Sequence, residues 1–240
     1  MRRALLVAVA MACLTGCYIP GFYTGDPAPT DSLPPALAPA APESPNGDLA
    51  LIDGVVSIRP ADGDTWSIPD TNVVLQSGDR LWVDSVGHLE AEFGSTALRM
   101  TSETEVDLVK VELKLLQLLL PQGSLDVRVR NADTAKSYEV DAPNAAIFLE
   151  QNGEYRIDVS TNGDTTRLTT WSGHAQVAAA GRTFPVDSGQ MVWVRGDSTT
   201  TYELMNAGPM DAFDRWARDR NAREEDTGPM EEEKTDANSP

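Results

Sequence analysis

Residues 155–171 read YRIDVSTNGDTTRLTTW, and this stretch decides the fold class. Tyr155, Ile157 and Val159 alternate with Arg156 and Asp158, which places apolar and polar side chains on opposite faces of a β-strand. Asn-Gly at 162–163 follows, and both residue types tolerate the positive φ angles of a tight turn. A second strand-like run then extends to residue 171. The stretch therefore predicts a β-hairpin with one buried face and one solvent-exposed face.

The same alternation recurs between residues 48 and 206, with Gly beside Asn or Asp at the turns. Many short strands separated in this way are typical of a sandwich, roll or barrel. We predict a single all-β domain over residues 48–206, built from short and mostly antiparallel strands of the sandwich or roll type. Two further runs carry the pattern: Leu125, Val127 and Val129 alternate with Asp126, Arg128 and Arg130, and Leu89, Ala91 and Phe93 alternate with Glu90 and Glu92.

The Leu- and Val-rich stretch near residue 115 fits two different periods. We predict a strand, because Lys110, Glu112 and Lys114 then all face water, and Pro-Gln-Gly at 121–123 supplies a turn after it. The helical alternative rests on a second set of positions. The strand set is Val109, Val111, Leu113 and Leu115, and the helical set is Val106, Val109, Leu113, Leu116 and Leu120.

Residues 1–16 have the layout of a signal peptide. Arg2 and Arg3 precede an apolar run at residues 4–14, which is shorter than the roughly 20 residues that a membrane-spanning helix needs. The run ends in LTGC at 14–17, which resembles the lipobox of bacterial lipoproteins. The resemblance implies that Cys17 is lipidated, becomes the first mature residue, and anchors the protein through acyl chains such as palmitate. The alternative is an ordinary secretory peptide with a chance cysteine.

Residues 17–47 are predicted to form the lipidated cysteine and a Pro-rich tether. The part after the cysteine contains eight of the sixteen prolines and no Lys or Arg, so it cannot bury a core. A Pro-rich ligand for a partner is the alternative. Position 18 is Tyr rather than Asp, which in enterobacteria-like sorting implies export to the outer membrane. The expected location is therefore the periplasmic face of the outer membrane, with the inner membrane or the cell surface as alternatives.

The C-terminal region is predicted to contain a short amphipathic helix at 207–224 and an acidic disordered tail at 225–240. On this helix each acid precedes an arginine by four positions, which is the favourable orientation for an ion pair. Phe213 and Trp216 share one face, so they either dock on the β-domain or form part of a partner site. The three pairs are Asp211/Arg215, Asp214/Arg218 and Asp219/Arg223.

The charge and the cysteine count exclude several classes of protein. The formal net charge is −18, which argues against a nucleic-acid partner, because binding to phosphates requires clustered Lys and Arg. Two cysteines are too few for a disulfide-rich scaffold or a four-Cys zinc site. One of them, Cys13, lies in the segment that is expected to be removed.

The order of several short motifs across residues 51–190 resembles a FecR-type domain. The best-known FecR relatives pass signals from outer-membrane receptors to sigma factors through an N-terminal cytoplasmic segment and a membrane helix. Here a signal peptide, a lipid site and a tether are expected before the domain, so the resemblance implies a periplasmic β-domain used for contacts rather than a sigma regulator. The matching segments are residues 51–58 with Gly54, Trp66, LQSGDRL at 75–81, LEAEF at 89–93, LRM at 98–100, QGSLDV at 122–127, YEVDAPNA at 138–145 with Ala142 in place of the usual Thr, WSGHAQV at 171–177 and VDSGQ at 186–190. The segment 211–216 also resembles the one that follows such domains in a related bacterial family.

Few residues have the pattern of a catalytic or metal site. His88 and His174 each follow a glycine at a predicted turn, and they lack the spacing of metal ligands. A Ser-His-Asp site could be built from His174, Asp187 and Ser188, but closeness in sequence does not establish geometry. We therefore predict no catalytic residues, no metal and no cofactor, and an enzyme stays as an alternative.

The tryptophans give the functional hypothesis. Trp82 and Trp193 fall on the strand face opposite their aliphatic neighbours, so they point outward if the aliphatic residues form the core. The alternative is that both faces are covered, the outer one by a second sheet or by the C-terminal helix. The leading hypothesis is a non-enzymatic, lipid-anchored periplasmic domain that contacts an envelope protein in signalling or assembly. The alternative is a glycan- or peptidoglycan-binding module that uses the outer-face tryptophans. The candidate partner-binding residues are Trp82, Trp193, Phe213 and Trp216.

Overall fold

A computed structural model of the chain describes residues 46–131, 137–196 and 199–226. All of them belong to one unit, residues 41–240, and they form strands with one helix, so the predicted all-β class is confirmed. The elements are β1 (Gly47–Arg59), β2 (Val74–Leu75), β3 (Arg80–Phe93), β4 (Thr96–Thr101), β5 (Thr104–Glu112), β6 (Leu115–Val129), β7 (Ser137–Ala142), β8 (Ala145–Leu149), β9 (Gly153–Val159), β10 (Thr165–Ser172), β11 (His174–Ala179), β12 (Arg182–Asp187), β13 (Gln190–Arg195), β14 (Thr201–Asn206) and α1 (Ala212–Asp226).

The predicted signal peptide, Cys17, nearly all of the tether and most of the acidic tail lie outside the described residues. Within the described ranges, no helix combines the length and the hydropathy that a membrane span requires.

Three long strands, β1, β3 and β6, run through both halves of a bent sheet. In one half, which we call the helix-covered half, the strand order is β14-β13-β10-β9-β6-β4-β3-β1-β2. In the other half, the β12 half, the order is β12-β11-β8-β7-β6-β5-β3-β1. Among the described strands every neighbouring pair is antiparallel except β6 and β7, which are parallel.

The long strands change direction at positions where only glycine fits. Gly123 in β6 has a φ of 100°, and a Cβ atom there would lie 2.4 Å from Cα of Thr104. Gly54 in β1 has a φ of 88° and lies beside a break in the register with β3. Glycine adopts these conformations without steric penalty, so each strand can pass from one half into the other.

The inner faces of the two halves share one hydrophobic core. Leu89 and Leu125 from the helix-covered half and Leu118 from the β12 half belong to the same buried cluster. At the edges, Phe184 of β12 stacks on Tyr202 of β14, with ring centroids 4.1 Å apart. The sheet therefore folds over a common interior, and each strand sends every second side chain outward.

The hairpin predicted at residues 155–171 is confirmed as β9 and β10. The two strands are antiparallel, and the backbone N–H of Ser160 donates to the carbonyl of Thr165 at 2.9 Å, which closes a four-residue loop. Gly163 in this loop has a φ of 72°, as the Asn-Gly signal predicts.

The prediction for the stretch near residue 115 was partly wrong. The stretch is β-structure, but it forms two strands, β5 and β6, with the turn at Leu113 and Lys114. A register shift between Leu108 and Lys110 reverses the alternation, so Val109 and Leu113 are 41% and 57% exposed. Pro-Gln-Gly at 121–123 lies inside β6 at the bend rather than in a turn, because the strand continues into the other half.

Candidate functional site

Four charged side chains of alternating sign lie side by side across the helix-covered half. The register pairs Glu90 of β3 with Arg99 of β4, Arg99 with Asp126 of β6, and Asp126 with Arg156 of β9. Residues directly opposite one another on adjacent strands have neighbouring side chains on the same face. The four residues, which we call the charge ladder, therefore form one row of alternating negative and positive groups.

The expectation that this face is exposed to water was wrong. Arg99 is 0% and Asp126 1% exposed, and Glu90 and Arg156 are also buried. The strand period correctly predicts that these side chains point away from the core. Helix α1 then covers them, so they are buried between the sheet and the helix.

The C-terminal part of α1 is held by Arg99 and Glu90. The Arg99 guanidinium donates to Glu90 at 2.6 Å, to Asn221 at 2.7 Å and to Glu224 at 2.7 Å. Arg220 of the helix donates to Glu90 at 2.5 Å. Charge-assisted bonds of this kind are stronger than neutral ones, and they fix the helix in one position along the sheet.

The N-terminal part of α1 is held by Arg156. Its guanidinium donates to Asp211 at 2.9 Å and to Asp214 at 3.0 Å, and it lies 4.8 Å from the ring centroid of Phe213. The indole N–H of Trp171 also donates to Asp214 at 3.2 Å. Charged, aromatic and hydrogen-bonding contacts thus converge on the first turn of the helix.

Asp211 and Asp214 also cap the helix. The backbone N–H of Asp214 donates to the Asp211 carboxylate at 3.0 Å, and the backbone N–H of Asp211 donates to the Asp214 carboxylate at 2.8 Å. This reciprocal arrangement satisfies backbone donors that a helix start leaves unpaired. Burial opposes ionisation of Asp211, but the Asp214 N–H and Arg156 outweigh it and hold the pKa of Asp211 at about 2.

The ion pairs predicted within the helix at Asp211/Arg215 and Asp214/Arg218 are not formed. Both acids face the sheet and bind Arg156 instead. Arg215 donates to the Met210 carbonyl at 2.7 Å, and Arg218 lies 3.7 Å from Glu154. Arg156 and Asp214 are both buried, so water screens their attraction less than it would screen a pair with an exposed arginine of the helix. Asp211 binds the same guanidinium but keeps 51% of its side chain exposed.

Two buried carboxylates, Asp126 of the charge ladder and the nearby Glu154, are incompletely paired. One oxygen of Asp126 and one of Glu154 have no hydrogen-bond partner among the described residues. Burial, followed by the charge of Glu154, raises the pKa of Asp126 to about 7, although Arg99 opposes this. Burial likewise raises the pKa of Glu154. For both carboxylates, burial makes ionisation less favourable than it is in water.

The carboxylates of Glu90, Glu92 and Glu224 also lie close together, with oxygens within 4.8 Å of one another. Each of them accepts hydrogen bonds from arginines: Arg99 and Arg220 bind Glu90, and Arg130 bridges Glu92 and Glu224. Guanidinium groups thus supply the positive charge that these acids require.

The structure brings together two of the predicted partner-binding residues, Phe213 and Trp216. Their rings are 5.8 Å apart, and Trp216 stacks on His88 of β3 at 4.4 Å. Phe213 is buried against the sheet, whereas Trp216 is half-buried at the rim of the contact. Of the two possibilities raised from the sequence, docking therefore applies to Phe213, while Trp216 keeps part of its indole accessible.

The other two predicted residues, Trp82 and Trp193, do not form one platform. Trp82 lies opposite Glu105 in the β12 half, and Trp193 lies opposite Arg167 in the helix-covered half. The strands β3 and β13 are separated by β4, β6, β9 and β10, which at about 4.8 Å per strand amounts to roughly 24 Å. The two indoles thus lie in different halves of the sheet, and Trp82 is not among the residues that line the cleft at Trp193.

Trp193 lies at an open cleft of about 380 Å³ near the bend of β6. Its indole is flanked by the guanidinium groups of Arg167 at 5.3 Å and Arg195 at 4.8 Å. Arg167 is paired with Asp158, which also accepts a 2.6 Å hydrogen bond from Ser124. The cleft therefore combines an aromatic ring with hydroxyl, carboxylate and guanidinium groups.

The residues considered for a Ser-His-Asp site are close together but differently arranged. His174 Nδ1 lies 2.7 Å from Asp187, whereas the Ser188 hydroxyl donates to the Trp171 carbonyl at 3.3 Å. In a triad the serine hydroxyl is hydrogen-bonded to the histidine. The other histidine considered for metal binding, His88, stacks on Trp216.

Arg99 and Arg156 were missed from the sequence as organising residues. Each lies on a strand in which apolar and polar residues alternate, and nothing in its local sequence distinguishes it from an exposed arginine such as Arg195. One usable signal was present: an amphipathic helix rich in both charges follows a sheet whose outward positions are also charged. Only the strand register reveals that the charges alternate across strands.

Two crystal structures are similar to part of this chain. A putative anti-sigma factor from Parabacteroides distasonis ATCC 8503 has a TM-score of 0.47 and 11% sequence identity. A second structure of a putative anti-sigma factor from the same organism has a TM-score of 0.47 and 12% identity. In both comparisons 53% of this chain and 59% of the other chain are covered, so this chain matches less than two thirds of their length. No family model and no curated protein matches the chain, and the FecR resemblance remains a prediction.

Proposed function

We propose that the chain is a lipid-anchored envelope protein whose β-domain binds another protein and catalyses no reaction. The anchor is inferred from the basic residues, the short apolar run and the LTGC motif at 14–17. The binding role is inferred from the surface of the sheet. Lipidation would hold the domain at a membrane, where a partner in the same membrane meets it at a raised effective concentration.

Exposed apolar side chains along β1 support this proposal most directly. Ile68 is 84% and Val86 75% exposed, and the loop after β1 folds back along that strand through hydrogen bonds at Ser67 and Asn72. Exposed apolar side chains along the edge of a domain are a feature of protein interaction sites. The exposed residues of this region are Val55 in β1, Trp66 and Ile68 in the loop after it, Val74 in β2, which pairs with the start of β1, and Val86 in the neighbouring strand β3.

Photo-crosslinking in cells tests the binding role. A photoreactive residue at position 68 should yield a defined crosslinked protein, and Val86→Asp should remove that product. The matched control is position 183, where Thr183 is exposed on the opposite edge strand β12. Identical products from positions 68 and 183, or a product that persists in Val86→Asp, would contradict the proposal.

The anchor has its own test. Cys17→Ser should abolish incorporation of labelled palmitate and leave the protein in its precursor form. Cys13→Ser should leave both unchanged, because residue 13 lies in the segment that is expected to be removed. Undiminished labelling of Cys17→Ser would show that the lipobox assignment is wrong.

Glycan binding is a second candidate, which the cleft at Trp193 favours. Aromatic rings combined with paired hydrogen-bonding groups are suited to sugar rings and hydroxyls. Because Trp82 and Trp193 lie in different halves of the sheet, the two single alanine variants separate the possibilities. Trp193→Ala should release the protein from isolated sacculi while Trp82→Ala should not; retention of both variants would exclude this cleft.

A further inference from the structure

Helix α1 has two faces of different charge. The inner face carries the residues that bind the sheet, including Asp211 and Asp214 at its start. The outer face carries exposed arginines at positions 215, 218 and 223, and two exposed acids lie beside them: Asp219, and Asp211, which binds Arg156 but keeps 51% of its side chain exposed. The formal charge of this outer face is therefore about +1 at neutral pH, as counted from ordinary side-chain pKa values.

The positive charge of the outer face arises from the way the helix docks. In an isolated helix, Asp211 and Asp214 would neutralise Arg215 and Arg218 at the i, i+4 spacing. Docking draws both acids toward Arg156 and away from these arginines. Arg218 keeps 54% of its side chain exposed and approaches Glu154 no closer than 3.7 Å.

This face contrasts with the rest of the molecule. The whole chain carries 37 acidic and 19 basic residues, so most of its surface repels acidic ligands. The outer face of α1 reverses that sign locally. Beside it lies the half-buried indole of Trp216, and tryptophan and arginine are the residue types most enriched at the centres of protein interfaces.

We propose that the outer face of α1, which we call the arginine face (Arg215, Arg218, Arg223 and Trp216), binds an acidic segment of a partner protein. Arginine forms planar, paired hydrogen bonds with carboxylates, which a partner with Asp or Glu side chains provides. This goes beyond the contact proposed along β1, because it assigns a separate surface and a partner of defined charge.

The spacing of the arginines suggests the form of the partner. Side chains three positions apart on a helix are about 5–6 Å apart at their Cβ atoms. Alternate residues of an extended chain are about 6.6 Å apart and point to the same side. An extended segment with acids at alternate positions, and an apolar residue to contact Trp216, therefore matches Arg215 and Arg218.

Binding of a synthetic peptide tests this inference. The probe is an extended peptide with glutamates at alternate positions and one leucine, titrated against the full chain with Cys17→Ser to avoid acylation. Arg215→Gln/Arg218→Gln should weaken binding at least tenfold, and the affinity of the unsubstituted arginine face should fall as salt is raised. The matched control, Lys110→Gln/Arg182→Gln, removes the same charge from exposed positions elsewhere and should bind as before.

Three outcomes would overturn the inference. They are equal affinity of the two double variants, loss of binding in both, or binding to vesicles of anionic lipid with no binding to the peptide. Circular dichroism and the thermal midpoint of each variant show that the helix is still docked, so a loss of binding is not a loss of structure. These outcomes are independent of crosslinking at position 68, so the proposal for the arginine face can be wrong while the proposed contact along β1 is right, and the reverse.

Discussion

Arg99 is the side chain on which the contacts beneath α1 converge. It is fully buried and contacts Glu90, Asp126, Asn221 and Glu224. A buried cation of this kind adds little net stability compared with an apolar residue, because removing it from water is costly. Its loss is nevertheless severe, since Asp126 would remain buried without the arginine that it binds, and Glu90 and Glu224 would keep only Arg220 and Arg130.

We expect Arg99→Met to lower the free energy of unfolding by about 3–5 kcal/mol. Urea denaturation measures this difference, provided that the slope of the transition is unchanged. Arg182→Met, at an exposed position of β12, is the control and should change stability by no more than about 0.5 kcal/mol. Similar losses in both variants would contradict the central role of Arg99.

Asp126 should make stability depend on pH. Its pKa is about 7 in the folded protein, above its value of about 4 in an unfolded chain, so the folded state binds the extra proton between these values. Its contribution to stability is therefore complete below about pH 4 and is lost as the pH rises through 7.

We expect Asp126→Asn to reduce the fall in unfolding free energy between pH 5 and pH 8 by about 2 kcal/mol. Denaturation at a series of pH values measures this slope. The control Asp62→Asn, at an exposed turn, should leave the slope as it is. A slope in Asp126→Asn equal to that of the unsubstituted protein would show that Asp126 is already ionised.

At the scale of the element, α1 owes its position to side chains that serve two purposes. Asp211 caps the helix and also binds Arg156 on β9. Few apolar residues support the contact; Phe213 and Ala217 are the buried ones. The helix is thus oriented by polar bonds, whose directions are specific, more than by apolar area, which is not directional.

We expect Asp211→Ala to destabilise the docked helix by about 1–2 kcal/mol, because one cap and one ion pair are lost together. Hydrogen exchange should then speed up at the amides of α1 and remain slow in β9. Asp219→Ala, an exposed position within the same helix, should leave exchange unchanged. If hydrogen exchange in α1 speeds up only in Asp219→Ala, the contact that holds the helix does not involve Asp211.

At the scale of the whole molecule, the bends of β1, β3 and β6 decide the architecture. Each of these strands belongs to both halves, so a change at a bend affects the packing of the entire core. In β6, Gly123 has no room for a side chain, since a Cβ atom there would meet the backbone of Thr104.

We expect Gly123→Ala to cost about 3 kcal/mol or more, from the positive φ and the clash together. Gly94→Ala is the control, because its φ of 63° is also positive but its Cβ would meet no atom within 4 Å. That variant should cost about 1 kcal/mol. Equal thermal midpoints for the two variants would show that the close approach at Gly123 is unimportant.

Much of the fold could be predicted from local pattern, whereas most of the site could not. Alternation identified β9, and Asn162-Gly163 identified the loop that follows it. The stretch at 104–129 was harder, because a bulge beside Val109 and the bend at Gly123 each reset the phase of the alternation. Pairing with distant strands determines where the alternation shifts, and the local sequence pattern carries no information about that pairing.

The sequence by itself determined that the chain forms strands, that one face of each strand is apolar, and that an amphipathic helix follows them. Those properties depend on neighbours within a few residues. Only the tertiary structure decided that Glu90, Arg99, Asp126 and Arg156 form one row. It also decided that Asp211 and Asp214 bind Arg156 of that row rather than the arginines four positions further along the helix. The physical reason is that a charged side chain pairs with the opposite charge that is nearest and least screened by water. Which charges are near one another depends on the register of the strands, and this register is fixed only in the folded sheet.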